Sequence, residues 1–251
     1  MELLFVASEV APLSKTGGLG DVAGALPAAL AARGHAVAVV SPRYGAVDAP
    51  RHGFEPVHRA IRVRGDEATL WVRRRGGLAH YLVEHEHYFG GRRGLYGEPG
   101  HEYGDNAERF AWLCRAALEV PAAFGLAPRV VHLNDWQTGL AAWLLRHEHG
   151  QDPALGAARS VFTVHNLAYQ GVFRKEVIPA LGLPWDVFHL DAMEFHDRLN
   201  LLKAGLVYAD ALTTVSPTYA AEILTPAGGE GLDGLLRRRA GDLTGILNGI
   251  D

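Results

Sequence analysis

Six short apolar stretches recur along this chain, none with the strict in–out alternation of a half-exposed strand. They are Leu3–Ala7, His35–Val40, Val130–Leu133, Ser160–Val164, Ala211–Val215 and Leu243–Leu247. A strand reads this way when both of its faces are covered, which is the condition of strands in a parallel sheet. Between them lie segments of helical period. In "DNAERFAWLCRAALEVPAAFG", Ala107, Phe110, Ala111, Cys114, Ala117 and Leu118 form one apolar stripe, with Asp105 or Asn106 placed to cap it. "DWQTGLAAWLLRHEHG" repeats the form, with Asp135 at the start, Leu140, Trp143, Leu144 and His147 on one face and Gly150 as a stop. Strand–helix–strand repetition demands right-handed crossovers and predicts an α/β fold, a Rossmann-like doubly wound parallel sheet.

One region breaks the rhythm. Gly65-Asp66 and Gly76-Gly77 divide Val57–Val83 into three alternating stretches, the pattern of an antiparallel β-ribbon insertion beside the main sheet. No linker or internal repeat interrupts the 251 residues, which read as a single domain.

Composition excludes several classes. The formal charge of −4 lacks the basic excess of a nucleic-acid binder. The single cysteine, Cys114, cannot close an intrachain disulfide. No apolar run approaches the ~20 residues that span a bilayer, and the N-terminus lacks a signal-peptide pattern. The expectation is a cytoplasmic protein with no membrane or nucleic-acid partner. Thirteen histidines raise the question of a metal. His85-Glu86-His87 would set two rings on one strand face, but no third ligand follows at a useful spacing, so the expectation is no metal and no cofactor.

In an open parallel sheet, ligands bind beyond the carboxyl ends of the strands. The polar residues leaving those ends are Ser8, Glu9 and the Lys15–Asp21 loop; Asn134-Asp135; His165-Asn166; Ser216-Pro217; and Asn248-Gly249. These junctions are expected to face one crevice. Gly17 and Gly18 precede a helix starting near Leu19 and would let a phosphate approach backbone N–H groups. Lys15, one of three lysines among 24 basic residues, adds a point charge on a flexible stem. That helix is expected to bury Val22, Ala25, Leu26, Ala29 and Leu30, with Pro27 kinking it or opening a second helix. Each residue also has a purely structural reading: the glycines make a turn, Lys15 is solvated, Asp135 caps a helix, His165 ends a strand.

A rival exists in Gly18-Leu19-Gly20-Asp21-Val22-Ala23, which fits a dinucleotide fingerprint, with Arg43 suited to the extra phosphate of NADP. About ten residues separate that motif from Ala7, and Ser41-Pro42 stands where an acidic residue would hold the ribose.

The segments "SKTGGLGDVAGALPAALAARGH", "LYGEPGHEYGDNAERFAWLCRAALE", "HLNDWQTGL", "FTVHNLAYQG", "ADALTTVSPTYAAEI" and "EGLDGLLRRRAGDLTGILNGID" occur in that order. Together they resemble the N-terminal half of the bacterial glycogen synthases and plastid starch synthases, glycosyltransferase family 5, over nearly all of Met1–Asp251. Gly20 departs from the pattern, standing where members commonly carry alanine, with little effect expected. The resemblance implies the acceptor-side Rossmann-like domain, residues 1–251, of a two-domain GT-B enzyme whose C-terminal nucleotide-sugar domain lies outside this chain. It implies glucose transfer from ADP-glucose to the non-reducing end of an α-1,4-glucan such as glycogen or a maltooligosaccharide, without cofactor, and little activity from this half alone. By motif, Lys15, Gly17 and Gly18 would meet the ADP phosphates, with Asp21 in the same loop. His165 would lie at the donor glucose and reacting centre, and Asp135 would be the carboxylate supporting transfer. Tyr96, Asn166 and Asn248 would line the cleft. The alternatives are an NADP-binding oxidoreductase domain and a non-catalytic glucan-binding module.

Overall fold

A computed structural model describes residues 1–249; Ile250 and Asp251, the end of the "NGID" segment, lie outside the described residues. The central sheet has nine strands: β1 (Glu2–Val6), β2 (Ala36–Pro42), β3 (Glu55–Val63), β4 (Asp66–Arg75), β5 (Leu78–Glu84), β6 (Val130–Asn134), β7 (Arg159–Val164), β8 (Ala211–Thr214) and β9 (Leu243–Gly245). Their spatial order is β9-β8-β7-β6-β1-β2-β5-β4-β3. All six apolar stretches are parallel strands of this sheet.

The ribbon region differs from expectation in one respect. It extends the main sheet itself, and its third stretch, β5, pairs parallel with β2. Only β4 runs against the others, paired antiparallel to β3 and β5. The alternating pattern was correct for the strands, but alternation cannot tell which neighbour each strand finds.

The strand order turns back between β1 and β6. From β1 the chain moves to β2 through α1 (Gly18–Ala32); from β6 it moves the opposite way to β7 through α3 (Trp136–His147). Right-handed crossovers in opposite directions place helices on opposite faces. Leu3, Phe5, Ala7, Val37 and Val39 accordingly pack with Leu19 and Ala23 of α1. Leu4, Val6, Ala38 and Val40 face the larger core with α2 (Asn106–Phe124), α3 and α4 (Leu201–Tyr208).

Two helix expectations are corrected. α1 runs unbroken through Pro27, and its buried residues are Leu19, Gly20, Ala23 and Pro27. Leu26 and Leu30 are half-buried against that core, but Ala25 and Ala29 are exposed and Val22 is intermediate. Pro27 is itself buried, so the buried stripe runs through Leu19, Ala23 and Pro27, and Ala25 and Ala29 fall on the exposed side. In α2, Asp105 occupies the N-cap position without a capping bond. Its carboxylate is instead held by both terminal nitrogens of Arg92, at 2.7 and 2.5 Å. A bidentate charge-assisted pair is stronger than one neutral cap.

Candidate functional site

The carboxyl ends of β1, β6, β7 and β8 open onto one cleft of about 580 Å³ at the turning point of the strand order. Its walls include Glu9, Thr16, Gly17, Gly18, Tyr96, Asp135, Trp136, Gln137, His165, Asn166, Val215 and Asn248. Seven of the nine residues picked from sequence are in this wall. Lys15 and Asp21 are not; they pair with each other, Nζ to Oδ1 at 2.7 Å, both about half exposed. The Ser216-Pro217 junction contributes no residue to this wall; Ser216 caps α5 (Pro217–Glu222) by accepting the Tyr219 N–H at 2.9 Å.

Asp135 carries the clearest sign of function. Its backbone is held at φ 54°, ψ −177°, a region that side-chain-bearing residues avoid. It stands at the N-cap of α3 yet makes no capping bond. Its Oδ1 instead accepts the backbone N–H of His165 at 2.7 Å, across the strand pair β6–β7. The capping reading of this aspartate therefore fails. Burial raises its pKa to about 7, against the pull of the His165 and Asn166 amides.

His165 is held by Asn134, whose Oδ1 lies 3.0 Å from Nε2. The other ring nitrogen, Nδ1, is buried without a partner. Burial lowers the pKa of this imidazole to about 4, so it is neutral at pH 7.

Glu9, expected on the rim only as a residue leaving β1, acquires a role here. Buried at 3% exposure, it accepts the Thr16 N–H at 2.5 Å, the Thr16 hydroxyl at 2.6 Å and the Gly17 N–H at 3.4 Å. The Tyr96 hydroxyl also donates to it, at 2.5 Å, and lies 2.8 Å from Ser8 Oγ. Glu9 thus shapes the glycine loop and ties it to Tyr96. It also engages the Gly17 amide, leaving Gly18 and Leu19, at the start of α1, as the loop's amides for an anion. The phenol of Tyr96 is pushed well above its ordinary range, chiefly by burial. Trp136 and Gln137 were missed as individuals. They follow Asp135 in the first turn of α3, and the rule that named Asp135 covers them too.

At Gly20 a Cβ would come within 3.1 Å of Lys15 Cβ and Cγ. An alanine at this position would therefore press on the lysine stem, and glycine leaves that stem room. Arg43, the residue available for an NADP phosphate, is ion-paired with Glu84 and lies 5.1 Å from the centre of the Trp71 ring. It is engaged with side chains of β5 and β4 and is not a free phosphate contact. His85 does not sit on a strand face beside His87; it accepts the Tyr88 N–H at 3.2 Å and starts a π-helical turn over Glu86–Gly90. Among the described residues, no three His, Cys, Asp or Glu side chains gather as a metal set.

Comparison with known proteins matches residues 2–238 to the family described as the starch synthase catalytic domain. A glycogen synthase of Anaeromyxobacter sp. (strain Fw109-5) is 72% identical over 251 residues, covering 100% of this chain and 52% of the relative. One of Myxococcus xanthus (strain DK1622) is 52% identical, covering 100% of this chain and 54% of the relative. Among solved structures, the catalytic domain of starch synthase IV from Arabidopsis thaliana, bound to ADP and acarbose, superposes with a TM-score of 0.89 at 34% identity, over 99% of this chain and 52% of that one. The chain spans about half the length of the curated relatives it matches. It belongs to the family of starch synthase catalytic domains.

Proposed function

We propose that this chain is the acceptor-side half of an enzyme that moves glucose from ADP-glucose to the non-reducing end of an α-1,4-glucan, in the cytoplasm, with its configuration retained. The observation that carries this reading is the convergence of the α1 N-terminus, Asp135 and His165 on one cleft. The Arabidopsis relative's ADP and acarbose support the ligand classes.

The chemistry follows from charge. Departure of a diphosphate builds negative charge on the leaving oxygens. The Gly18 and Leu19 amides, the dipole of α1 and Lys15, once released from Asp21, stabilise that charge more in the transition state than in the ground state. Positive charge develops at the anomeric carbon, as in glycoside hydrolysis. Burial holds the Asp135 carboxyl well above the ordinary carboxylate range, at about 7, and a neutral His165 does not add repulsion. Asp135 Oδ1 is held by the backbone N–H of His165, which fits a supporting carboxylate, and on this reading transfer proceeds on one face of the sugar. A trapped glucosyl–protein adduct would overturn that step.

The remaining nucleotide contacts belong, on this reading, to a second Rossmann-like domain, and closure of the two excludes water. The test is ADP release with glycogen as acceptor. Intact protein carrying both halves turns over; residues 1–251 alone do so negligibly. Robust turnover by the 251-residue chain refutes the two-domain requirement, and absence of ADP-glucose turnover in the intact protein refutes the function.

A further inference from the structure

We propose that Asn134 is a positioning residue that fixes the His165 ring as its neutral tautomer protonated on Nε2, leaving Nδ1 as a bare acceptor. The argument starts at the other end of the amide. Asn134 is fully buried at the end of β6, and its Nδ2 donates to the carbonyl oxygen of Val6 on β1 at 2.9 Å. A carbonyl can only accept, so the amide cannot be flipped, and Oδ1 is the atom that meets His165 Nε2 at 3.0 Å. An amide oxygen can only accept as well. Nε2 must therefore carry a proton. Nδ1 is buried and faces no acceptor, so a second proton there would be a buried, unpaired N–H bearing charge.

The groups around the ring agree. β6 contributes His132, kept neutral by burial with a pKa of about 4 and its Nε2 on Thr163 Oγ1 at 2.7 Å. The β6–α3 junction contributes Asp135, whose carboxylate is spent on the backbone of His165. The loop after β1 contributes Glu9, whose charge is felt at Asp135. From α5, Tyr219 accepts the Leu167 N–H at 3.0 Å. None of these side chains hydrogen-bonds the ring. The chain Val6–Asn134–His165 thus runs across the turning point of the sheet and decides the imidazole's protonation by geometry.

The tautomer assignment stands on this chain alone; its consequence for sugar transfer rests on the function proposed above. There, an imidazolium at His165 would oppose the positive charge growing on the anomeric carbon, and Asn134 excludes it.

The experiment is long-range proton–nitrogen correlation NMR of the 251-residue chain labelled with 15N-histidine, with His165 assigned by its loss in His165→Gln. The expected wild-type pattern is one protonated nitrogen, Nε2, from pH 8 to pH 5. In Asn134→Asp the new carboxylate holds the doubly protonated ring, and its titration rises by at least about one pH unit. In Asn134→Ser the bridge to Val6 is lost and both tautomers appear. A wild-type ring protonated on Nδ1, or a titration unchanged in both variants, overturns the proposal, and the wild-type spectrum decides even where a variant fails to fold. In intact protein, Asn134→Asp moves the acid limb of the kcat profile upward, whereas a merely structural loss lowers kcat at every pH. If the NMR results hold while intact wild-type protein does not turn over ADP-glucose, the functional reading fails and the tautomer assignment stands.

Discussion

The carboxylate of Asp135 accepts the backbone N–H of His165 at 2.7 Å, so the first residue after β6 is locked to the first residue after β7. The bond is kept despite a positive φ at Asp135 and a buried carboxyl. Both costs are local and both lie in the cleft, the usual place for tolerated strain.

Asp135→Asn should stabilise the chain at high pH while impairing transfer. The folded carboxyl has a pKa of about 7 against an ordinary 3.8, so the native state keeps a proton that the unfolded chain has lost. The Asp135 contribution to stability therefore falls as pH rises from about 4 to 7, by up to about 4 kcal/mol, and is unpenalised below that window. Asparagine removes the titration, still accepts the His165 N–H and tolerates positive φ better. Urea unfolding at pH 5 and pH 8 should show the variant gaining about 1–3 kcal/mol more at pH 8.

Buried histidines should make the chain acid-sensitive. Burial lowers His80 to about 3 and His132 and His165 to about 4. A histidine depressed in the folded state contributes stability that is complete above about pH 6.5 and is lost as pH falls towards its folded value. Near pH 5, unfolding takes up about three protons at these rings and releases about one from Asp135. The net slope is about 3 kcal/mol per pH unit, stability rising with pH. Denaturation midpoints between pH 5 and 6 give the sign directly.

Gly171→Ala should cost about 3 kcal/mol or more and disturb the cleft wall. Gly171 has φ +60°, and a Cβ there would lie 2.3 Å from the Trp136 ring. Gly53→Ala is the control: φ is +76° but only Arg73 Cδ is near, at 3.9 Å, so about 1 kcal/mol is expected. Unfolding free energies and tryptophan fluorescence separate backbone strain from ring displacement.

Glu9→Ala should free the glycine loop. It strips the acceptor from the Thr16 amide and hydroxyl and from the Tyr96 phenol, at a cost of about 2 kcal/mol. Amide exchange at Thr16 and Gly17 should quicken markedly, while exchange in β6 and β7 stays as in wild type.

On the function proposed above, Lys15→Ala in intact protein should raise the ADP-glucose requirement about tenfold and leave stability within about 1 kcal/mol, because the pair with Asp21 is exposed. Steady-state kinetics against ADP-glucose checks it. An unchanged KM leaves Lys15 as a solvated side chain.

Strand identities, their parallel pairing and the gathering of Asp135, His165, Asn166 and Asn248 were legible in the chain, because two-sided burial and chain polarity are written locally; Tyr96, which follows no strand of the main sheet, came only with the family resemblance. α2 shows the limit: its predicted stripe is buried, but so are Arg109, Trp112, Leu113, Ala116 and Val120, since neighbours that no single-helix pattern contains cover its other side. Likewise, Asp135 reads equally as a cap or as chemistry until its φ and its bond to His165 are known, and Glu9 acquires a role only when Thr16 and Tyr96 meet it. Local sequence fixes which residues reach the rim of the sheet. Which of them engage one another is decided by tertiary structure, because hydrogen-bond partners distant in sequence, such as Val6, Asn134 and His165, become neighbours only when the parallel strands align.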